Sequence, residues 1–224
     1  MIRKLALALV AAALAVTGCG SPTAPATAPG LAPQPDATRP ASGDDVRTFT
    51  IQSDQSTASY AVVEILFNRG NKFNLAIGVT DAINGQVFLN FTHPEQSTVG
   101  TITVNVNTLT SDSSRRDSMI RRNWLESQKY PIVTFAPTAV NGLPSAYADG
   151  TEIAFEIVGD MTVRDTTQPV TFSVTAKLQR GALSGTATSS IKMSDFNFQA
   201  PDIAGILKAE DEAKLEFKFV ATSG

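Results

Sequence analysis

The sequence has few of the side chains with which proteins bind metals or cross-link themselves. Its 224 residues include one cysteine, one tryptophan and one histidine, His93. One cysteine cannot form a disulfide within the chain, and one histidine cannot build a histidine-rich metal site. The motifs of zinc proteases, paired redox cysteines and nucleophilic serines are missing as well. We therefore predict no metal, no cofactor of its own and no catalytic residue; a hydrolase that uses His93 is the alternative.

An excess of positive charge is also missing. The chain has 18 lysines and arginines against 21 aspartates and glutamates, which gives a formal net charge of −3. A broad nucleic-acid-binding surface needs a basic domain. We therefore expect no nucleic-acid partner.

The longest apolar run lies at the N-terminus. Arg3 and Lys4 precede an apolar stretch over residues 5–16, which small residues follow. This pattern is typical of a secretory signal peptide and is too short for a spanning helix. Residues 16–19 read Val-Thr-Gly-Cys and resemble the lipobox of bacterial lipoproteins. The resemblance implies a signal peptide over residues 1–18, cleavage before Cys19, and acylation of Cys19.

Acylation would hold the mature chain at a membrane, since each buried methylene contributes ~0.8 kcal/mol. We therefore predict an extracytoplasmic, membrane-anchored lipoprotein, in a periplasm or at the outer face of a cell membrane. A plain signal peptide followed by a free N-terminal cysteine is the alternative.

Two further segments follow the predicted signal peptide. Residues 19–46 are rich in Pro, Ala and Thr and have almost no large apolar side chains. Such a composition cannot bury enough surface to offset the entropy of ordering, so we predict a disordered tether. Residues 47–222 are predicted to form one folded domain, because this length suits a single core.

Period-2 alternation dominates the domain. It predicts antiparallel strands with one dry face and one wet face. The positions predicted to face the dry side are Ala61, Val63, Ile65 and Phe67; Ile102, Val104 and Val106; Ile153, Phe155 and Ile157; Val170, Phe172, Val174, Ala176 and Leu178; and Leu215, Phe217 and Phe219. Asn84-Gly85 and Arg180-Gly181 are predicted hairpin turns. Eight or nine such strands fit an all-β barrel or sandwich.

One segment, residues 111–128, does not alternate and is predicted to be a helix. Ser111, Asp112 or Ser113 can cap its start. Its charges stand four residues apart in three pairs, which are Asp112 with Arg116, Asp117 with Arg121, and Arg122 with Glu126. These pairs indicate a solvated, self-paired polar face, and an anion or lipid-headgroup site is the alternative. The apolar face, with Met119, Ile120 and Trp124, has to rest on another surface, and an open barrel end provides one.

The interior of an eight-stranded barrel either fills with side chains or holds one small ligand. The inward residues here are large and apolar, a lining that suits a lipid or an isoprenoid tail. Alternation alone leaves both interiors open.

Three stretches resemble the YceI-like family in order and spacing. They are Ser114–Phe135, with Arg116, Asp117, Trp124, Leu125, Tyr130, Pro131 and Phe135; Val158–Val174, with Gly159, Thr162, Thr167, Pro169 and Val170; and Met193–Phe198, with Asp195 and Phe196. The resemblance covers about residues 47–222. The chain departs from the family pattern over residues 65–85, at Asp165-Thr166, and at Asn197, where glycine is usual.

This resemblance implies a lipocalin-like antiparallel eight-stranded barrel, exported to the cell envelope, with no enzymatic activity. It also implies an elongated apolar cavity for a polyisoprenoid or quinone-like lipid, with Arg116 and Asp117 fixing a loop. The expected lining residues are Phe67, Ile102, Val104, Val106, Met119, Ile120, Trp124, Phe135, Phe155, Ile157, Phe172, Val174, Phe196, Phe217 and Phe219.

The leading hypothesis is therefore a membrane-tethered isoprenoid-lipid carrier, a monomer or a dimer. The alternative is a non-catalytic envelope interaction domain with a filled core, which would expose an apolar patch on the barrel wall.

Overall fold

The computed structural model describes residues 44–223, so the predicted signal peptide, Cys19 and residues 20–43 lie outside the described residues. Within residues 44–223 the chain forms one antiparallel sheet. Its strands, in chain order, are β1 (Val46–Ile51), β2 (Thr57–Leu66), β3 (Lys72–Thr80), β4 (Ile83–Asn84), β5 (Gln86–Asn90), β6 (Thr98–Val99), β7 (Ile102–Asn105), β8 (Ile132–Asn141), β9 (Glu152–Val163), β10 (Thr166–Gln179), β11 (Ala182–Lys192), β12 (Asp202–Ile203) and β13 (Leu207–Ser223).

Helical structure is short in this part of the chain. The α-helix α1 spans Ser114–Met119, and a π-helical turn, Ile120–Trp124, continues it. The 3₁₀ turns are Ser53–Gln55, Phe67–Arg69, Pro94–Gln96, Val106–Thr108 and Met193–Phe196. Over the described residues, no helix has both the length and the apolar character that a membrane span requires.

The sheet curls into a barrel-like wall. Strands β7, β8, β9, β10, β11 and β13 pair in that order, and β13 also pairs with β1 at one end and with β2 at the other. Residues 83–90 connect the first strand of this order, β7, with β1 at the other end. Ile83 pairs with Val104 of β7, and residues 86–90 pair with β1. The predicted all-β antiparallel barrel is confirmed.

The described sheet has more strands than the eight predicted, because several runs are interrupted. Gly85 separates β4 from β5, and residues 100–101 separate β6 from β7. The predicted turn at Asn84-Gly85 is wrong, since the chain continues there as strand. A Cβ at Gly85 would lie 2.3 Å from the Ile102 Cδ1 atom, so this glycine provides a close approach between strands. The turn at Arg180-Gly181 is confirmed, with both residues at positive φ.

The prediction for the dry face of β2 is wrong by one residue. Val62 and Glu64 are buried, while Ala61, Val63 and Ile65 are only half-buried and occupy the other face. Both rows of this strand are largely apolar, so alternation could not distinguish them.

Candidate functional site

A cavity of about 800 Å³ lies inside the curled sheet. Inward side chains from almost every strand border it, and the π-helical turn adds Ile120 and Trp124. Two pairs of aromatic rings lie in its wall. The Phe135 and Phe172 ring centroids are 5.0 Å apart, and those of Phe217 and Phe219 are 5.4 Å apart. The lining therefore provides a predominantly apolar environment.

The cavity lining extends along much of β13. Its lining on this strand runs from Leu207 to Phe219, mostly at alternating positions, with a bulge between Ala209 and Ala213 and with Glu216 as an additional lining residue. These thirteen residues are separated by twelve steps of about 3.3 Å, so this part of the wall spans up to roughly 40 Å. A long apolar chain that lay along this wall would have lining residues beside it over most of the strand.

Most of the predicted lining residues border this cavity. They are Ile102, Val104, Val106, Met119, Ile120, Trp124, Phe135, Phe155, Ile157, Phe172, Val174, Phe217 and Phe219. In β7, β9, β10 and β13 polar and apolar residues alternate around these positions, so each apolar row could be assigned to one face; Phe135 was expected from the resemblance and Met119, Ile120 and Trp124 from the helical segment. Contact of these residues with a ligand stays a prediction.

Two predicted lining residues, Phe67 and Phe196, lie elsewhere. Phe67 begins a 3₁₀ turn after β2 and is exposed, because the inward row of β2 contains Leu66 instead. Phe196 ends the 3₁₀ turn after β11 and is buried against a cluster that includes Val163 and Val170. The turn takes Phe196 out of the inward row of the sheet.

Alternation did not predict the polar cluster in the cavity wall. The Glu64 side chain is 5% exposed; its Oε1 accepts a hydrogen bond from Arg116 Nη2 at 2.9 Å and another from Asn74 Nδ2 at 2.8 Å. All three residues border the cavity. The sequence does contain a signal, namely the single charged residue Glu64 inside the apolar run Val62–Leu66, but the predicted dry face of β2, with Val63 and Ile65, turns Glu64 to the opposite side.

Tyr60 lies close to this cluster and also borders the cavity. Its ring fits because residue 78 is glycine, where a Cβ would lie 2.3 Å from the Tyr60 Cε1 atom. Burial raises the pKa of the Tyr60 hydroxyl to about 12. The hydroxyl is therefore neutral at ordinary pH and can donate a hydrogen bond.

The structure separates the arginines of the helical segment. Arg116 pairs with Asp112 as predicted, but Arg121 does not pair with Asp117 and instead donates to the Leu109 carbonyl at 2.8 Å. The buried Asp117 carboxylate accepts from the backbone N–H and the hydroxyl of Ser111, at 3.0 and 2.6 Å. Arg116 and Asp117 thus fix the loop that precedes α1, and Ser113 caps the helix through the Arg116 N–H.

The far end of the helical segment is fixed by Arg164, at the tip of the β9–β10 hairpin. Its Nη2 lies 2.7 Å from Glu126 Oε1, and its Nη1 donates to the Trp124 carbonyl at 3.2 Å. Glu126 therefore pairs with Arg164. The pair of Glu126 with Arg122, which their spacing of four residues predicted, is wrong. The contact with Arg164 holds Trp124 at the cavity.

Several residues of the resemblance have structural roles. A Cβ at Gly159 would lie 2.6 Å from the Ala136 carbonyl oxygen, so glycine allows β9 to approach β8. Asn197 has φ +58°, a left-handed conformation that asparagine adopts more readily than most residues, which explains its place where glycine is usual. The Tyr130 hydroxyl donates to Asp165 Oδ2 at 3.2 Å, next to the hairpin tip.

His93 is half exposed and lies 3.5 Å from Glu95. Among the described residues, no group of three or more His, Cys, Asp or Glu side chains is placed to hold a metal ion.

Solved structures of similar fold are known. BcnA from Burkholderia cenocepacia is 20% identical, with a TM-score of 0.59 over 77% of this chain and 99% of BcnA. A polyisoprenoid-binding domain from Saccharophagus degradans, implicated in plant cell wall breakdown, is 10% identical, with a TM-score of 0.57 over 79% of this chain and 98% of that domain. The Campylobacter jejuni YceI protein is 12% identical, with a TM-score of 0.51 over 63% and 81%. At these identities the likeness shows the fold.

No curated protein matches the chain significantly. The sequence model of the YceI-like domain matches residues 49–221, which is most of the chain and contains the three motifs and the whole cavity wall. The chain belongs to the YceI-like domain family.

Proposed function

We propose that this protein binds a long-chain polyisoprenoid, or a similar apolar lipid, in the cavity and carries it outside the cytoplasm. The observation that carries the proposal is the predominantly apolar cavity of about 800 Å³, whose lining extends along β13 from Leu207 to Phe219. Its volume is in the range of small-molecule sites, which is about 300–1,000 Å³. The Saccharophagus degradans domain, which has the same fold, is described as polyisoprenoid-binding.

The lining supports a lipid tail held by apolar contact, and the cluster of Tyr60, Glu64 and Arg116 supports a polar head nearby. Each methylene that leaves water contributes about 0.8 kcal/mol, so a long tail provides ample binding free energy without specific hydrogen bonds. Arg116 is already paired with Glu64 and Asp112. A neutral or weakly polar head that accepts from the Tyr60 hydroxyl fits this cluster better than a free anion.

We further propose that the mature chain is attached to a membrane through acylated Cys19, with residues 19–46 as a tether. This part rests on the sequence alone, that is, on the apolar run before Cys19 and on the composition of the following segment. We also propose that the domain is non-catalytic and works as a monomer or a dimer.

The second candidate function is an envelope interaction domain. It is favoured by an apolar row on the outer face of β3, where Phe73, Leu75 and Ile77 are exposed. The filled interior that this candidate assumed is not supported, because the cavity provides open space.

Lipid binding is tested on the mature chain from Gly20, exported behind a cleavable signal peptide so that it carries no acylation site. We expect mass spectrometry of the detergent-free protein to detect a stoichiometric isoprenoid lipid. Ala187 is buried in the cavity wall, so Ala187→Trp should exclude the tail, while Thr188→Trp, one residue along and outward, should not. A parent chain that is empty and takes up no added polyprenol or quinone would refute the proposal.

A further inference from the structure

The outer face of β3 is apolar, whereas the solvent-facing side of an antiparallel sheet is usually polar. Phe73 is 69% exposed and Leu75 is 53% exposed, while the alternate residues Asn74 and Ala76 face inward. The row continues through Ile77 and pairs across to the half-buried apolar face of β2. Contiguous exposed apolar surface of this kind marks a site of interaction with another apolar surface.

This apolar row ends where the exposed residues Arg69 and Ile206 border the cavity, and we take this part of the rim as a mouth of the cavity. The turn between β2 and β3 places exposed Phe67 and Phe73 on its two sides, while Leu66 and Arg69 of the same hairpin border the cavity. Ile206, from the turn before β13, is exposed beside them, and its carbonyl accepts the Phe67 N–H at 2.9 Å. We name this surface, Phe67–Leu75 with Ile206, the β2–β3 lip.

The charges of the β2–β3 lip are positive. Between Phe67 and Phe73 the hairpin contains Arg69 and Lys72, both exposed, and no carboxylate. Exposed aromatic side chains next to cations are the composition of elements that rest in the headgroup region of a bilayer, where the apolar groups enter by about 5–10 Å. Each cation close to an anionic surface adds about 1 kcal/mol of attraction.

We propose that the β2–β3 lip docks onto the surface of a bilayer that contains anionic phospholipids. This inference rests on the proposed lipid-binding function, because docking would place the cavity mouth against the membrane from which a lipid tail leaves. Phe67, Phe73 and Ile206 would enter the headgroup region, and Arg69 and Lys72 would contact phosphates. A tail could then pass between bilayer and cavity with little exposure to water.

The test measures binding of the full mature chain from Gly20, exported without an acylation site, to vesicles. The vesicles contain phosphatidylcholine with phosphatidylglycerol, or phosphatidylcholine alone. Phe73→Asp should weaken binding to the mixed vesicles by about tenfold, since it removes a large apolar side chain and adds a like charge to the membrane. Lys72→Gln should weaken that binding by about fivefold and leave binding to phosphatidylcholine vesicles unchanged.

The matched control is Ile132→Asp, on β8. Ile132 is 42% exposed, so the same apolar-to-acid change is made at a surface position outside the β2–β3 lip. We expect binding within twofold of the parent chain. If Phe73→Asp and Ile132→Asp bind vesicles equally well, the inference is wrong. If Phe73→Asp instead abolishes self-association and leaves vesicle binding intact, the surface binds a second copy and the inference is equally wrong.

Uptake of added polyprenol in solution separates this inference from the proposed function. Phe73→Asp should take up the same stoichiometry as the parent chain, because Phe73 lies outside the cavity lining. A parent chain that takes up no polyprenol, yet binds mixed vesicles through Phe73 and Lys72, would refute the carrier function and support the β2–β3 lip.

Discussion

Replacement of Arg116 by methionine should lower the free energy of unfolding more than replacement of Glu64, its buried partner, by glutamine. Arg116→Met leaves the Glu64 carboxylate, 5% exposed, with only the Asn74 amide as a donor. Removing one partner of a buried ion pair costs about 3–5 kcal/mol, chiefly because an uncompensated charge stays buried. The Asn74 bond offsets part of this cost, so we expect a loss of about 3 kcal/mol. For a domain of this size the melting temperature falls by roughly 10 °C.

The other single variant, Glu64→Gln, should cost about 1–2 kcal/mol. Glutamine keeps an acceptor oxygen for Asn74, and Arg116 keeps Asp112 and the Ser111 hydroxyl as partners. The decisive measurement is urea unfolding of the double variant Glu64→Gln with Arg116→Met. Its free energy of unfolding should exceed that of Arg116→Met alone, because glutamine removes the stranded charge. If the double variant loses as much free energy of unfolding as the two single variants together, then Glu64 and Arg116 are not coupled and the pair does not stabilise this wall.

Three further predictions test the site. Arg164→Gln removes the ion pair and weakens the contact with the Trp124 carbonyl; it should cost about 1–2 kcal/mol and shift the Trp124 fluorescence towards that of a solvated indole. Gly159→Ala places a Cβ 2.6 Å from the Ala136 carbonyl oxygen and should cost about 3 kcal/mol in urea unfolding. The Tyr60 pKa of about 12 exceeds its ordinary value, so the stability from burying the neutral hydroxyl is complete below pH ~10 and is lost as pH rises towards 12. Tyr60→Phe should therefore lose less stability than the parent chain across that interval, as followed by unfolding at several pH values.

The sequence predicted the sheet well where one row of a strand is apolar and the other polar. In β9 and β13, apolar residues such as Phe155 and Phe217 alternate with Glu and Lys, so only one orientation buries them. The same rule placed Phe172 and Val174 of β10 correctly at the cavity. Composition did not distinguish the two predicted turns, because Arg180-Gly181 forms a turn whereas Gly85 allows a close approach to Ile102 of a neighbouring strand.

The remaining parts of the site depend on contacts between residues far apart in the chain. Arg164 meets Glu126 across 38 positions, and no local spacing predicts that this pair replaces the i,i+4 pair with Arg122. The π-helical turn ends at Trp124, and Glu126, two residues further on, has φ +46°, which lies outside the right-handed helical region. The prediction of one regular helix over 111–128 therefore differs from the observed α-helical turn followed by a π-helical turn.

The orientation of β2 and the β2–β3 lip have one common cause. Both rows of β2 are largely apolar, so burial alone stabilises either orientation, and a shift of one residue would exchange them. Glu64 decides between them, because only the inward orientation brings it to Arg116 and to Asn74 on β3. Once Asn74 faces inward, Phe73 and Leu75 have to face outward. The exposed apolar surface is thus a consequence of the buried ion pair, and the segment in which this chain departs from the family pattern forms that surface.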